Sequence, residues 1–283
     1  MFNLYCTQVA LIICYILSLL FFVFRPLKEK QKPSDKIILI LLGFFLVIAA
    51  VTRPEETADT DNYIYGFTKG DYASRMEPMY AFIIAFSRLF SYPAVIGLSI
   101  YAILSIVPRL YFIKKYSVNI FASVIIYLSY CYIAQDIVAI RSGVASALLL
   151  LAIHFKFQEK YKYMFCIILI ASLFHYTALA FLVLYFINQH KKQRVIYLLL
   201  LACCYFLYFV NFDIRLLFPY LQYLTFLEHN ISSYSDSTEM VFGTLNGPQI
   251  LRISTCVLFW VFADKIYKKN QIKCSKYFKF RFV

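Results

Sequence analysis

The chain has 283 residues, of which 62% are hydrophobic, 19% aromatic and only 15% charged. Soluble domains carry about 25% charged and 45–50% apolar residues, so this composition excludes a water-soluble globular protein. The net charge of +13 would suggest nucleic-acid binding in a soluble protein, but Lys and Arg also collect in the cytoplasmic loops of membrane proteins. Here the basic clusters separate apolar stretches that are long enough to cross a hydrocarbon core of about 30 Å. The sequence therefore predicts an all-α, polytopic membrane bundle with no nucleic-acid partner.

Taking the basic loops as cytoplasmic, we predict one membrane domain over residues 1–283 with about nine or ten transmembrane helices. The clearest predicted spans are residues 4–24, 37–51, 95–113, 118–134, 137–155, 195–210 and 250–266. Residues 78–90 predict a short or re-entrant helix. Two polar stretches, 53–77 and 211–249, are predicted to be outer segments, and residues 265–283 to be a basic cytoplasmic tail.

The apolar run 163–187 is one span long, yet basic loops flank it on both sides. A single helix would place the two loops on opposite faces of the membrane, against the distribution of positive charge. A broken hairpin that turns near His175 keeps both loops inside. Such a break survives at membrane depth only where it is packed against protein or a wet cavity. We therefore predict the broken hairpin.

The apolar run DIVAIRSGVASALLLL covers residues 136–151. Asp136 is its first residue, and Arg141 lies near its start. An arginine at the centre of a spanning helix costs roughly 2.5–3.5 kcal/mol on insertion scales. Its side chain either snorkels to lipid headgroups or lines a wet cavity and holds an anion, since the guanidinium fork fits phosphate. Arg252, near the outer start of the last span, presents the same alternatives. His175, flanked by apolar residues in ASLFHYTALAF, is either a satisfied core residue or a base or donor at a helix break.

The stretch DTDNYIY places Asp59, Asp61, Tyr63 and Tyr65 in the first outer segment, and Glu77 precedes a proline that can open a helix. These residues form either a solvated loop with a capping acid or a sugar site. Carboxylates accept hydrogen bonds from hydroxyls, and aromatic faces stack on pyranose C–H groups. Two acids in one loop are weak evidence for a divalent cation, and we predict neither a metal nor a cofactor.

Four motifs, DTDNYIY, EPMYAFI, IRSGVASAL and ASLFHYTAL, occur in this order. Together they resemble the EpsG-type family of Wzy-like polysaccharide polymerases. The resemblance covers roughly residues 59–186. Ser142 departs from the family pattern, in which a glutamine follows the arginine.

The resemblance implies a multi-pass glycosyltransferase of the bacterial inner membrane, with an active site facing the periplasm or cell exterior. A growing glycan would leave undecaprenyl diphosphate and join a lipid-linked repeat unit, in O-antigen, capsule or exopolysaccharide biosynthesis. The expected partners are the lipid-linked oligosaccharide and membrane lipid, with a chain-length regulator as a further candidate.

The resemblance also implies roles for individual residues. Arg141 and Arg252 would grip the diphosphate, and one of the predicted acids or His175 would deprotonate the acceptor hydroxyl. His175 is favoured, because a neutral histidine needs little tuning at pH 7. The predicted catalytic residues are Glu77, Arg141 and His175, and the predicted substrate contacts are Asp59, Asp61, Tyr63, Tyr65, Asp136, Tyr176 and Arg252.

Two other functions remain open at this point. A flippase for the same lipid-linked sugar would need polar residues through the depth of several spans, whereas here they crowd one end. An O-antigen ligase would use the same donor with a lipid A core acceptor, and its usual large outer loop rich in Arg and His is not evident in residues 211–249.

Overall fold

The computed structural model describes residues 2–24, 33–54, 57, 59–70, 77–117 and 119–186, together with the single positions 199, 202, 203 and 206. By its contacts the chain divides into two compact units, Met1–Lys192 and Gln193–Val283. The description below concerns the first unit. The second outer segment, the span at 250–266 and the basic tail lie outside the described residues, and so does Arg252.

The described part of the chain is helical throughout. Eight α-helices follow one another as α1 Phe2–Phe24, α2 Pro33–Val51, α3 Thr60–Lys69, α4 Pro78–Ser87, α5 Pro93–Tyr116, α6 Ile120–Tyr127, α7 Ile140–Phe157 and α8 Tyr161–Phe174. A π-helical segment, Leu128–Val138, continues α6, and a 3₁₀-helical segment, Tyr176–Tyr185, follows α8. Four stretches in the described residues are long and apolar enough to cross a membrane: Ser34–Val51, Pro93–Tyr116, Ile120–Val138 and Ile140–Phe157. The helical membrane protein is thus confirmed, and the total of nine or ten spans stays a prediction.

Helix α5 stands at the centre of the bundle, because its two faces serve two separate cores. One face packs Ala102 and Ile106 against α1, α2, α6 and the π segment. The other packs Leu98 and Tyr101 against α3, α4, α7 and α8. The second core lies beneath the candidate site.

Helix α4 is the short helix that the sequence predicts. Pro78 lies in its first turn, where the missing N–H costs nothing. Glu77 occupies the N-cap position, and its backbone is extended there. Helix α3, in contrast, lies within a segment predicted to be irregular. It buries Tyr63 and Phe67, one helical turn apart, and ends at Gly70 in the left-handed conformation. Its ten residues form an amphipathic helix that closes over α4 and α5.

The π segment connects α6 to α7 and packs closely against the start of α7. A Cβ atom on Gly143 would lie 2.1 Å from the carbonyl oxygen of Gln135. Only a glycine therefore lets the start of α7 approach the π segment this closely. Arg53, at the end of α2, donates to the carbonyl of Ile137 near the end of the π segment, where carbonyls lack helical partners.

The break predicted near His175 is confirmed. Helix α8 ends at Phe174, His175 adopts an extended conformation (φ −160°, ψ 117°), and the 3₁₀ segment runs back. The ring of Tyr185 lies 5.7 Å from that of Tyr161, so the end of the returning arm reaches the start of α8. With rises of about 1.5 and 2.0 Å per residue, arms of 14 and 10 residues have nearly the same length. The hairpin therefore carries His175 to the end of the bundle where α4 and α7 begin.

We call this end the site end. We call the opposite end, where α5 and α7 finish and α8 begins, the basic end. It carries five lysines: Lys114, Lys115, Lys156, Lys160 and Lys162.

Candidate active site

Glu77 joins two residues from distant parts of the chain. Its Oε2 accepts a hydrogen bond from Nη1 of Arg141, and its Oε1 lies 2.9 Å from Nδ1 of His175. The Glu77 side chain is 6% exposed, whereas those of Arg141 and His175 are 25% and 30% exposed. The carboxylate is thus held from beneath, and the two basic side chains remain accessible. We call these three residues the Glu77 cluster.

Three helix ends bring the cluster together. Glu77 precedes α4, Arg141 is the second residue of α7, and His175 follows the last residue of α8. The first turns of α4 and α7 both direct backbone N–H groups towards this end, and the helix dipole makes such ends favourable for anions.

Aromatic side chains form the floor of the cluster. The guanidinium carbon of Arg141 lies 5.5 Å from the centre of the Tyr80 ring, within the range of a cation–π contact. Arg141 also interacts with the hydroxyl of Tyr63. The Tyr80 ring contacts those of Tyr63 and Tyr101 at centroid distances of 6.2 and 6.3 Å. This packing fixes the guanidinium plane, which would otherwise rotate freely.

The electrostatics of Glu77 define the hydrogen bonds of the cluster. Burial raises the pKa of this carboxyl, but the hydrogen bond from His175 and the charge of Arg141 outweigh burial and hold the pKa below its ordinary value. Glu77 is therefore ionised at neutral pH and can only accept hydrogen bonds. The proton in the contact with His175 consequently belongs to Nδ1, so Nε2 of a neutral ring keeps its lone pair.

A cavity of about 450 Å³ lies beside the cluster, within the usual size range of ligand pockets. Its described walls are the π segment, α7 and the 3₁₀ segment, and His175 is part of the wall. A side chain with a free basic nitrogen, oriented by a carboxylate and adjoining both an arginine and a cavity, can remove a proton from a hydroxyl group.

A family model matches residues 36–283 under the description EpsG family. The chain belongs to the EpsG family. Comparisons with curated proteins and with solved structures give no match. Membership indicates a polysaccharide polymerase-like, glycosyltransferase-like role at a membrane.

The other sequence-predicted residues of this EpsG-family chain are distributed unevenly around the cluster. Tyr63 is buried beside Arg141, and Tyr176 is near enough to Glu77 to be influenced by its charge. Asp59 is exposed and interacts electrostatically with Tyr63. Asp61 and Tyr65 are exposed on α3, Tyr65 at 45%. Substrate contact by these residues stays a prediction.

Asp136 has a different environment from the other predicted contacts. It is 2% exposed, forms an ion pair with Arg109 and accepts hydrogen bonds from Ser105 and Tyr127, the latter at 2.5 Å. Within the described residues, no hydrogen bond or ion pair joins it to Glu77 or His175. Its geometry is that of a buried structural acid, which needs a paired cation.

The sequence reasoning missed Arg109. This residue is 4% exposed in the middle of the bundle, and besides Asp136 it contacts Gln135 at 2.7 Å and the carbonyl of Gly143 at 2.9 Å. The available signal was an arginine directly after Pro108 inside an apolar span, because ionisable residues at membrane depth are rare and always partnered. Among the described residues, no group of three His, Cys, Asp or Glu side chains is placed to hold a metal ion.

Proposed function

We propose that this EpsG-family protein is a Wzy-type polysaccharide polymerase. It transfers a growing glycan from undecaprenyl diphosphate onto a lipid-linked repeat unit at the outer face of the bacterial inner membrane. The observation that carries the proposal is the pairing of His175 with Glu77 beside Arg141. Family membership, with its polymerase-like role, supports the same reaction class.

In the proposed reaction, a hydroxyl oxygen of the acceptor unit attacks the anomeric carbon of the donor glycan. The new C–O bond forms as the bond between that carbon and the phosphate oxygen breaks. The electron pair of the broken bond leaves with undecaprenyl diphosphate, and Nε2 of His175 takes the hydroxyl proton. Glu77 orients the ring and stabilises the imidazolium through Nδ1–H, as carboxylates paired with catalytic histidines do.

Charge balance in the cluster supports this assignment. Before reaction the negative charge of Glu77 offsets the positive charge of Arg141, and His175 must be neutral to act as a general base. When His175 takes the proton, the cluster gains one positive charge as the diphosphate leaving group gains a negative one. Arg141, rigid over Tyr80, then stabilises the leaving group without reorganising.

The lysines support the proposed orientation. Five of those in the described residues lie at the basic end, opposite the Glu77 cluster along α7. Because Lys and Arg are enriched on the cytoplasmic side of bacterial membrane proteins, we place the basic end in the cytoplasm. The cluster then faces the periplasm or cell exterior, where lipid-linked repeat units await polymerisation.

The buried Arg109–Asp136 pair bears on the flippase alternative. A flippase needs polar residues through the depth of several spans, and this pair lies deeper in the bundle than the Glu77 cluster. Both side chains are almost fully buried, and their hydrogen bonds are made within the bundle. Such a pair does not line a passage, so it favours the enzyme. The ligase alternative depends on residues 211–249, which lie outside the described part.

The test is elongation of a defined lipid-diphosphate repeat unit by the purified full-length protein, with and without chelator. A polymerase yields a ladder of lipid-linked products. Glu77→Gln strongly reduces the ladder, while Glu159→Gln, at the basic end, retains it. Movement of labelled lipid across proteoliposomes without a ladder would point to a flippase. Transfer only to a lipid A core acceptor would point to a ligase.

A further inference from the structure

The cavity beside the Glu77 cluster changes character along its length. On α7 its wall consists first of Ser142 and Ser146 and then of Leu149, Leu150 and Ile153. These positions recur every three or four residues and so share one face of the helix. From residue 142 to residue 153 the face extends for about 16 Å. The wall is polar at the site end and apolar towards the basic end.

The opposite wall shows the same gradient in the same direction. It begins with His175 and Thr177 and continues with Ala178 and Phe181. The two walls run parallel, because His175 and Arg141 share Glu77 at one end, while Lys156 donates to the carbonyl of Leu184 at the other. A ligand that fits both walls therefore has a polar head at the site end and a hydrocarbon chain pointing towards the basic end.

Gln135 supplies hydrogen-bond donors at the polar end. Its Oε1 accepts from Nη2 of Arg109 at 2.7 Å and from Oγ of Ser146 at 2.8 Å. Since a guanidinium can only donate, this contact fixes the amide oxygen towards Arg109 and turns the NH₂ group away from it. No acceptor among the described residues bonds that NH₂ group, and Gln135 forms part of the cavity wall. The two N–H groups of the Gln135 amide are thus oriented and can donate to a ligand in the cavity.

The polar end carries no negative charge of its own among the described wall residues. The neighbouring carboxylates, Glu77 and Asp136, are already paired with Arg141 and Arg109. The first turn of α7 adds the positive end of a helix dipole. Oxygen atoms of a phosphate head are therefore favoured acceptors for the NH₂ group of Gln135.

We propose that this cavity binds the lipid carrier of the substrate, with the diphosphate beside Gln135 and His175 and the first isoprene units along Leu149, Leu150 and Ile153. The proposal rests on the proposed function, for which a lipid diphosphate is the donor. Gln135 is a substrate-binding residue, and Arg109 acts as a positioning residue that orients its amide. An acyl chain of a bilayer phospholipid could fill the apolar part but would leave the oriented donors unused.

The experiment is photolabelling of the full-length protein in nanodiscs with a long-chain polyprenyl diphosphate that carries a diazirine in its third isoprene unit. We expect labelled peptides from α7 and the 3₁₀ segment. Leu150→Trp, which fills the cavity, should reduce labelling at least tenfold. Ile126→Trp, at a position of α6 that is 67% exposed, should leave it unchanged.

Two further variants separate the head from the tail. Gln135→Glu keeps an acceptor for Arg109 and Ser146, so the fold is retained, but it replaces both donors by a carboxylate. It should weaken labelling at least tenfold. Ile153→Trp, at the deep end, should weaken labelling by the long-chain probe much more than labelling by a two-isoprene diphosphate that carries its diazirine in the second unit. Unlabelled polyprenyl diphosphate should compete, whereas polyprenol and phosphatidylglycerol should not.

Unchanged labelling of folded Leu150→Trp and Gln135→Glu would overturn the proposal. So would equal competition by phosphatidylglycerol, which would show an adventitious lipid only. Labelling requires no turnover, so the two proposals fail separately. If the protein is labelled as expected but does not elongate the substrate, the lipid site is supported and the polymerase function is contradicted. If it elongates the substrate but labelling is insensitive to these variants, the polymerase function is supported and the lipid site is contradicted.

Discussion

Nδ1 of His175 lies 2.9 Å from Oε1 of Glu77, although 98 residues separate the two in the chain. The other oxygen of the same carboxylate accepts from Arg141. Both oxygens of Glu77 are therefore committed, and one side chain sets the positions of a base and a cation at once. A substitution at Glu77 should consequently impair catalysis by displacing both His175 and Arg141.

Glu77→Gln should lower the rate of elongation by at least about 10²-fold, the lower range for loss of general-base catalysis. A glutamine can accept from only one of the two partners, and its NH₂ group opposes a donor on the other. The rate is measured as lipid-linked product formed per unit time by purified protein. Glu159→Gln makes the same change in an exposed turn at the basic end and should elongate like the wild type. Equal loss in both variants would contradict the role of Glu77.

The acid sensitivity of folding should depend on Glu77. Because His175 and Arg141 hold the pKa of this carboxyl below its ordinary value of 4.5, the unfolded chain takes up the proton first on acidification. The stabilisation from Glu77 is thus complete above the ordinary pKa and is lost as pH falls through the lower folded-state pKa.

The measurement for this prediction is the thermal midpoint of detergent-solubilised protein between pH 7 and pH 3. The difference in midpoint between wild type and Glu77→Gln should be largest at the upper end and shrink at the lower end. A difference that grows on acidification would mean that the carboxyl is not held ionised in the folded state.

The Arg109–Asp136 pair predicts a non-additive effect on stability. Asp136→Leu leaves a buried guanidinium without its counter-charge and should cost about 3–5 kcal/mol, as broken buried pairs do. Combining it with Arg109→Met removes the stranded charge and should recover a large part of that loss. Thermal unfolding of the single and double variants provides the comparison. A double variant that is less stable than Asp136→Leu alone would contradict the claim that the unpaired charge of Arg109 causes the loss of stability.

Gly143→Ala should destabilise the bundle by about 1–3 kcal/mol, the usual cost of overpacking, because the new methyl group would meet the backbone oxygen of Gln135. Gly43→Ala is a matched control. Its methyl group would meet only the terminal carbon of the Leu110 side chain, which can move, and both changes gain about 1 kcal/mol of helix propensity. Chemical or thermal unfolding should place Gly143→Ala below the wild type and Gly43→Ala close to it. The reverse order would contradict the close approach of α7 to the π segment.

The sequence predicted those features of the fold that depend on local pattern. The break at His175 followed from a run one span long between two basic loops, and the start of α4 followed from a proline after a capping acid. Helix α3 was missed because DTDNY and a glycine are typical of turns. Its helical character depends on Tyr63 and Phe67 packing against α4 and α5, which is a tertiary effect.

The site divides in the same way. Glu77, Arg141 and His175 could each be selected individually as polar residues beside apolar runs or helix ends. Their convergence on one carboxylate could not be predicted, because no spacing rule relates three helix ends from different parts of a chain. Arg109 was overlooked because the sequence reasoning favoured polar residues at the outer ends of spans. The structure shows that a buried cation can instead be satisfied deep in the bundle by Asp136 and its neighbours.

The most direct measurement is elongation by His175→Asn. The asparagine amide can still donate to Glu77 in place of Nδ1–H, so the cluster and the fold are retained, but the basic Nε2 is gone. We predict a folded protein that binds lipid diphosphate and elongates it at least about 10²-fold more slowly than the wild type. A His175→Asn protein that builds chains of wild-type length at the wild-type rate would contradict the assignment of His175 as the base, and with it the proposed active site.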